Sequence, residues 1–333
     1  MKIFIETLGC KVNTYESEVI KEEFLRNGYE LAENISDANV IVVNTCSVTN
    51  QSDAKSRKVI RNARKNNKNA ILVVCGCSSQ NHQDELKDLG ADILIGNKDK
   101  SKIFDYVNNY DNKQIINYYN MINTDFEKMI LDNYSERTRA FVKIQDGCNN
   151  YCSYCIIPYL RGTIRNKDLN DAINEINTLV NNGFKEIVLT GIHTGSYPEL
   201  VKLIQEISKN DKLERIRISS IEATEINDEF LKELKNNNKI CNHMHIPVQA
   251  ACDNTLKKMN RKYDMNKFKE IINKIREVRP DINITTDLIV GFPTETEEEF
   301  LESYNNAKEI KFGKIHVFPY SKRDGTVAAK MKS

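Results

Sequence analysis

The stretch "QDGCNNYCSYCIIPYLRG" places Cys148, Cys152 and Cys155 at C-x3-C-x2-C spacing. Three thiols in one short loop could hold zinc, form a disulfide knot, or bind an iron–sulfur cluster. Zinc asks for a fourth Cys or His, and the nearest downstream is His193, beyond the next apolar run. A four-iron cluster needs no fourth protein ligand, because one iron can stay open for a small molecule. Three further cysteines each close a different run: Cys10 after "IFIETLG", Cys46 after "VIVVNT" and Cys77 after "ILVVCG". If those runs are strands of one parallel sheet, the three thiols share its carboxyl edge, where ligands of α/β sheets collect. A lone buried cysteine packs as a small hydrophobe, but three at equivalent strand ends point to ligation by soft thiolates. Cys75 competes with Cys77; it lies inside its run and is assigned to the core, as are Cys241 and Cys252.

Nine cysteines in 333 residues is an odd number. Glu6 interrupts the first apolar stretch, so the N-terminus does not read as a secretion signal. The longest apolar run, "AILVVCGC", is too short to cross a bilayer. A cytoplasmic protein whose thiols bind metal, rather than disulfides, is expected. Lys and Arg total 48 against 47 Asp and Glu, so a polyanionic partner would have to be met by a local patch. Lys55 to Lys68 holds seven Lys or Arg and no acid. Its helical register after Cys46 makes Arg57, Lys58, Arg61 and Arg64 candidates for phosphate contact. Arg161 and Arg165, just past the cysteine loop, are expected to face charged groups of a substrate. His243 and His245 share one face of a strand and are read as hydrogen-bonded interior, not as metal ligands.

Positioning these residues requires two β-α series. Residues 1–107 alternate Ile/Val-rich runs with amphipathic segments and predict an open parallel sheet with helices on both faces. Residues 108–138, rich in Asn and Tyr with weak periodicity, are expected to form a linker. Residues 139–333 contain six strand candidates separated by helices. That is too few for a closed eight-stranded barrel, so a partial (β/α)6 barrel is expected. The sequence ends shortly after the sixth run, leaving that strand without a helix to cover it.

With both cysteine sets in view, the chain resembles the radical S-adenosylmethionine (SAM) methylthiotransferases. The stretches that carry the resemblance include "TLGCKVNTYESE", "VVNTCSVTNQSDAKSRKVIR", "GCSSQ", "HIPVQAACDNTLKKMNRKY", "TTDLIVGFPTETEEEF" and "HVFPYSKRDGT", beside the Cys148 loop itself. "LGCKVN" and "KSRKVIR" are most similar to the branch acting on N6-threonylcarbamoyladenosine (t6A) 37 of tRNA. The resemblance implies two 4Fe–4S clusters. Cys148, Cys152 and Cys155 would hold the catalytic one, whose open iron binds SAM, with Tyr154 as the aromatic before the third cysteine. Cys10, Cys46 and Cys77 would hold the other, near the sulfur to be delivered. Gly191, Ser219, Glu222, Gln249 and Gly291, at successive strand ends, are the expected SAM contacts. Implied partners are the tRNA anticodon loop and a flavodoxin- or ferredoxin-type reductant, with the protein a monomer and no membrane involved. The family's small C-terminal RNA-binding domain, called TRAM, has no counterpart in residues 1–333 and is expected to be absent. Other readings are a methylthiotransferase for isopentenyladenosine tRNA or for a ribosomal protein, and a non-catalytic zinc and RNA-binding module.

Overall fold

A computed structural model describes residues 1–134 and 138–332. Two compact units emerge, one of Met1–Ser135 with Ile157–Arg165 and one of Glu136–Ile156 with Asn166–Ser333. Among the described residues no helix is long and apolar enough to cross a membrane.

The first unit is built on β1 (Lys2–Thr7), β2 (Glu30–Leu31), β3 (Val40–Thr45), β4 (Ile71–Gly76), β5 (Ile93–Ile95) and β6 (Ile115–Asn117). They form one sheet in the order β2-β1-β3-β4-β5-β6, with every pair parallel. The helices are α1 (Lys11–Arg26), α2 (Asn50–Asn66), α3 (Cys77–Asn81), α4 (Gln83–Lys87) and α5 (Ile103–Asn108). The near-continuous apolar runs follow from burial of both sheet faces. Ile60 and Ala63 of α2 join Ile41, Val43, Leu72 and Val74 on one face. The alternate side is covered by α1, where Asn44 Nδ2 donates to Asn13 O at 3.1 Å and to Ser17 Oγ at 3.1 Å.

The expected linker is in large part a piece of this unit. β6 pairs with β5 as the sheet's last strand, and Met121, Met129, Leu131 and Tyr134 are buried. Tyr15 OH donates to Met129 O at 2.7 Å. The tyrosines are hydrogen-bonded in place: Tyr110 OH to Asp92, Tyr118 OH to Ser79 and Tyr119 OH to Asp99. Weak periodicity hid this segment because a three-residue edge strand and an irregular return carry no repeat to detect. Residues 135–137 of the expected linker lie outside the described residues.

The second unit carries β7 (Ala140–Lys143), the two-residue strand β8 (Gln145–Asp146), β10 (Glu186–Thr190), β11 (Arg215–Ile218), β12 (His243–His245), β13 (Asn283–Val290) and β14 (Lys314–Pro319). A further short strand, β9 (Arg165–Asn166), straddles the boundary of the units. Six of them form the wall in two parallel sheets, β7-β10-β11 and β12-β13-β14. A bridge between Ile216 and Ile240 joins the two. Helices α7 (Leu169–Asn181), α8 (Leu200–Ser208), α9 (Asp228–Asn236), α11 (Met265–Val278) and α12 (Glu297–Ile310) alternate with the strands, and the short helix α10 (Asp253–Lys258) precedes α11. This is the open (β/α)6 arrangement expected. β14 is its exposed edge, with Val317 and Phe318 57% and 45% accessible. The residues after it return to the cysteine loop instead, where Ala328 N donates to Ser153 O at 2.7 Å.

Candidate metal centres

In the first unit the three turns carrying Cys10, Cys46 and Cys77 are tied to one another. Cys10 is the N-cap residue of α1, Cys46 follows β3 directly, and Cys77 opens α3 after β4. Asn13 Nδ2 donates to Leu8 O at 2.7 Å and Thr45 O at 3.0 Å, linking the turns before Cys10 and Cys46. Thr45 Oγ1 donates to Cys75 O at 2.6 Å and accepts from Ser79 N at 3.1 Å, which links the turns of Cys46 and Cys77. Asn97 Nδ2 approaches Cys77 Sγ at 3.4 Å. Cys46 and Cys77 are buried, whereas Cys10 reaches solvent.

Burial pushes the Cys46 thiol up to about 11, with the neighbouring Cys77 adding to the rise. The Cys10 thiol is also raised, because protein crowds its sulfur, although Arg161 opposes the shift. Thiols held protonated in this way release their protons when a metal binds them. Cys75 lies inside β4, wholly buried, with its thiol pushed to about 12 by burial, as expected of a core residue.

A buried ionic knot sits beside this site. Glu16 on α1 is paired with Lys100 and with Arg161, and all three side chains are at most 1% exposed. Arg161 also donates to Asn13 Oδ1 at 2.6 Å. Removing one partner of such a group strands buried charge. Glu16→Gln should therefore cost the first unit about 3–5 kcal/mol, read as a lowered urea midpoint with an unchanged slope.

In the second unit, Cys148, Cys152 and Cys155 lie in the loop after β8, each partly exposed. The loop is pinned to the turn between α10 and α11. Ser153 N donates to Met259 O at 3.0 Å, Ser153 Oγ to Lys258 O at 2.8 Å, and Asn260 Nδ2 to Tyr151 O at 3.0 Å. Arg261 Nη1 reaches Cys152 Sγ at 3.4 Å, while its Nη2 pairs with Glu222 and donates to Pro247 O at 3.1 Å. Asn150 N donates to Cys148 Sγ at 3.5 Å. His193 is paired with Glu225. Burial works against its charge, but Cys148 and Glu225 beside it prevail and push its pKa up to about 10.

Both thiol sets fit iron–sulfur clusters by donor chemistry and by the N–H groups aimed at their sulfurs. Among the described residues no three His, Cys, Asp or Glu side chains converge on one ion. The ligands of a four-iron cluster each take a different iron and need not meet at a point.

The remaining candidates divide. Tyr154 is packed in the cysteine loop near Arg261, and burial raises its phenol. Gly191 approaches Gln145 so closely that a Cβ there would lie 2.8 Å from Gln145 Oε1. Ser219 is buried, 3.4 Å from Thr194 Oγ1. Gln249 and Gly291 close β12's extension and β13 with positive φ, and a Cβ at Gly291 would meet open space. Glu222 is engaged by Arg261, so the charged group presented beside the cysteines includes a cation that the sequence alone did not single out. Its signal was the "NRKY" within "HIPVQAACDNTLKKMNRKY". His243 and His245 both bond Thr285, and His245 also bonds Asp287, as interior groups do.

The expected phosphate-binding set needs correction. Arg161 is wholly buried and cannot face RNA. Arg165 is held by Thr124 and by Arg161 O. Arg64 spends its guanidinium on Gly90 O, Lys68 O, Ala70 O and Asp92, and Arg57 pairs with Glu85 at 3.3 Å. Only Lys58 and Arg61 of the six remain exposed. A charge run fixes which residues are cationic but not which of them fold back onto carbonyls and carboxylates.

Comparison with known proteins supplies the context for this geometry. A family model described as the Radical SAM superfamily matches residues 142–307, and one described as Uncharacterized protein family UPF0004 matches residues 2–96. Threonylcarbamoyladenosine tRNA methylthiotransferase MtaB of Bacillus subtilis is 46% identical, across 99% of this chain and 76% of that protein. The tRNA-2-methylthio-N(6)-dimethylallyladenosine synthase of Clostridium tetani is 36% identical, across 98% and 75%. Among solved structures, the radical SAM methyltransferase TsrM from Kitasatospora setae, with cobalamin and a 4Fe–4S cluster bound, superposes with a TM-score of 0.69 at 14% identity. That match covers 96% of this chain and 74% of TsrM and speaks to fold alone.

Proposed function

This chain belongs to the radical SAM methylthiotransferases, in their threonylcarbamoyladenosine tRNA branch, and from that premise we propose that it inserts a methylthio group at C2 of t6A37 in tRNA, using SAM and two 4Fe–4S clusters. The observation that carries this reading is the pair of all-cysteine sets, each at the carboxyl ends of its own parallel strands. The choice of t6A over isopentenyladenosine is supported by 46% identity to the former kind of relative against 36% to the latter. A tRNA substrate supports a cytoplasmic reaction, with a flavodoxin- or ferredoxin-type protein as electron source.

Cys148, Cys152 and Cys155 would hold the cluster that binds SAM, and Cys10, Cys46 and Cys77 the second. Bound cluster and SAM supply the one-electron chemistry that an unactivated C2–H bond requires and no side-chain acid or base provides. The chain's own groups position and charge the site. Arg261 fixes Cys152 and Glu222 together. Asn150 and His193 crowd Cys148. Gly191, Ser219, Gln249 and Gly291 line the strand ends where SAM would lie.

Nucleoside analysis of tRNA from a deletion strain tests the reading. The 2-methylthio form of t6A should vanish and return with the intact gene. Loss of the methylthio group from isopentenyladenosine instead would refute the substrate. For RNA contact, Lys58→Glu with Arg61→Glu should weaken tRNA binding roughly tenfold near 0.1 M salt and flatten the dependence of log K on log salt by about 1–2. An unchanged slope in filter binding would remove these two residues from the interface.

A further inference from the structure

Arg161 and Asn97 stand out as polar side chains buried deep in the first unit, 0% and 4% exposed. Neither is a metal ligand by type. Arg161 lies six residues past Cys155 in sequence, yet the segment Ile157–Arg165 belongs by its contacts to the first unit. Its guanidinium holds Asn13 Oδ1 at 2.6 Å and Glu16 Oε1 at 3.2 Å. With its oxygen so held, the Asn13 amide must turn its Nδ2 toward Leu8 O and Thr45 O. Those carbonyls belong to the turns that deliver Cys10 and Cys46. One residue earlier on the same short helix, α6 (Ile157–Arg161), Leu160 O accepts from Asn97 Nδ2 at 3.0 Å. The same amide nitrogen lies 3.4 Å from Cys77 Sγ. A single turn of α6 therefore grips all three cysteine-bearing turns, through one guanidinium and one carbonyl.

We propose that Arg161 and Asn97 are positioning residues of the Cys10, Cys46 and Cys77 site, setting the spacing of its three thiols and stabilising the more negative, reduced state of the cluster held there. The inference rests on the proposed second cluster. Two physical effects act in the same direction. A fixed cation beside the thiolates favours added negative charge, and an N–H aimed at a ligating sulfur does the same.

The test uses the full chain carrying Cys148→Ala, Cys152→Ala and Cys155→Ala, reconstituted anaerobically so that only the first unit's cluster remains. Arg161→Met, Arg161→Lys and Asn97→Leu are added singly, and the reduction potential is followed by electron paramagnetic resonance, with circular dichroism to verify folding. Arg161→Met and Asn97→Leu should each lower the potential so that the reduced-to-oxidised ratio at fixed potential falls about tenfold, or about 59 mV for a one-electron couple. Arg161→Lys, which keeps the charge and loses the fork, should recover most of the shift. Loss of the cluster from a folded Arg161→Met or Asn97→Leu protein also supports the proposal. Unchanged cluster content and potential in folded variants would overturn it. If Arg161→Met does not fold, Asn97→Leu and Arg161→Lys decide. A parent triple variant that binds no iron would instead overturn the second cluster itself, and the proposal with it.

Discussion

Alanine at Cys148, Cys152 and Cys155 together should abolish methylthiolation and halve bound iron and inorganic sulfide, from an expected content of about eight atoms of each per chain to about four. The three thiols lie in one loop after β8, so they are lost as a set. The other three cysteines come from turns held by their own hydrogen bonds, Asn13 to Leu8 O and Thr45 O and Thr45 Oγ1 to Cys75 O, which the change does not touch. Cys152→Ala alone should cost as much activity as the triple change, since ligands of one cluster act as a unit. Iron and sulfide assays on anaerobically reconstituted protein, with tRNA nucleoside analysis, read the outcome. A wild-type protein that holds zinc and no sulfide would sink the iron–sulfur reading of both sets.

Gly9→Ala is expected to do the reverse, emptying the first unit while sparing the second. Gly9 adopts φ +99°, and a Cβ there would lie 2.8 Å from Cys46 Cβ, 2.9 Å from Cys46 Sγ and 3.3 Å from Asn13 Nδ2. The left-handed backbone alone costs alanine about 1–2 kcal/mol. The contact adds a more specific penalty, because relieving it must displace the sulfur of Cys46 or the amide that spaces the turns. The variant should keep about four irons and cleave SAM under reduction, yet form no methylthiolated nucleoside. Gly28→Ala is the control. It shares the positive φ, at +81°, but an added methyl there would find nothing within 4 Å, so both clusters and the product should persist. Retention of full iron content and activity by Gly9→Ala would remove the close approach of Gly9 and Cys46 from the site's requirements.

Much of this architecture was legible in the residues. The six barrel runs became β7, β10, β11, β12, β13 and β14, and the three runs that precede Cys10, Cys46 and Cys77 became β1, β3 and β4. Buried strands need short Ile/Val-rich stretches, which composition displays locally. Cys10, Cys46 and Cys77 could be placed at strand ends on the same ground, and Cys75 inside its strand. The segment that carries β6 was not legible, because an edge strand of three residues followed by an irregular return leaves no pattern.

The partners of the charged side chains were decided only by the tertiary structure. Arg161 reads as a cation next to a cysteine loop, but its acceptors Asn13 and Glu16 lie 148 and 145 residues away. Arg64 reads as one of seven exposed cations, but the carbonyls around Gly90 and Ala70 claim it. Arg261 and Asn97 drew no notice beside the cysteines they touch. Periodicity reports which face of an element is buried, since burial is averaged over many neighbours. A hydrogen bond depends on two particular atoms meeting within a few tenths of an ångström, and only the folded chain brings them together.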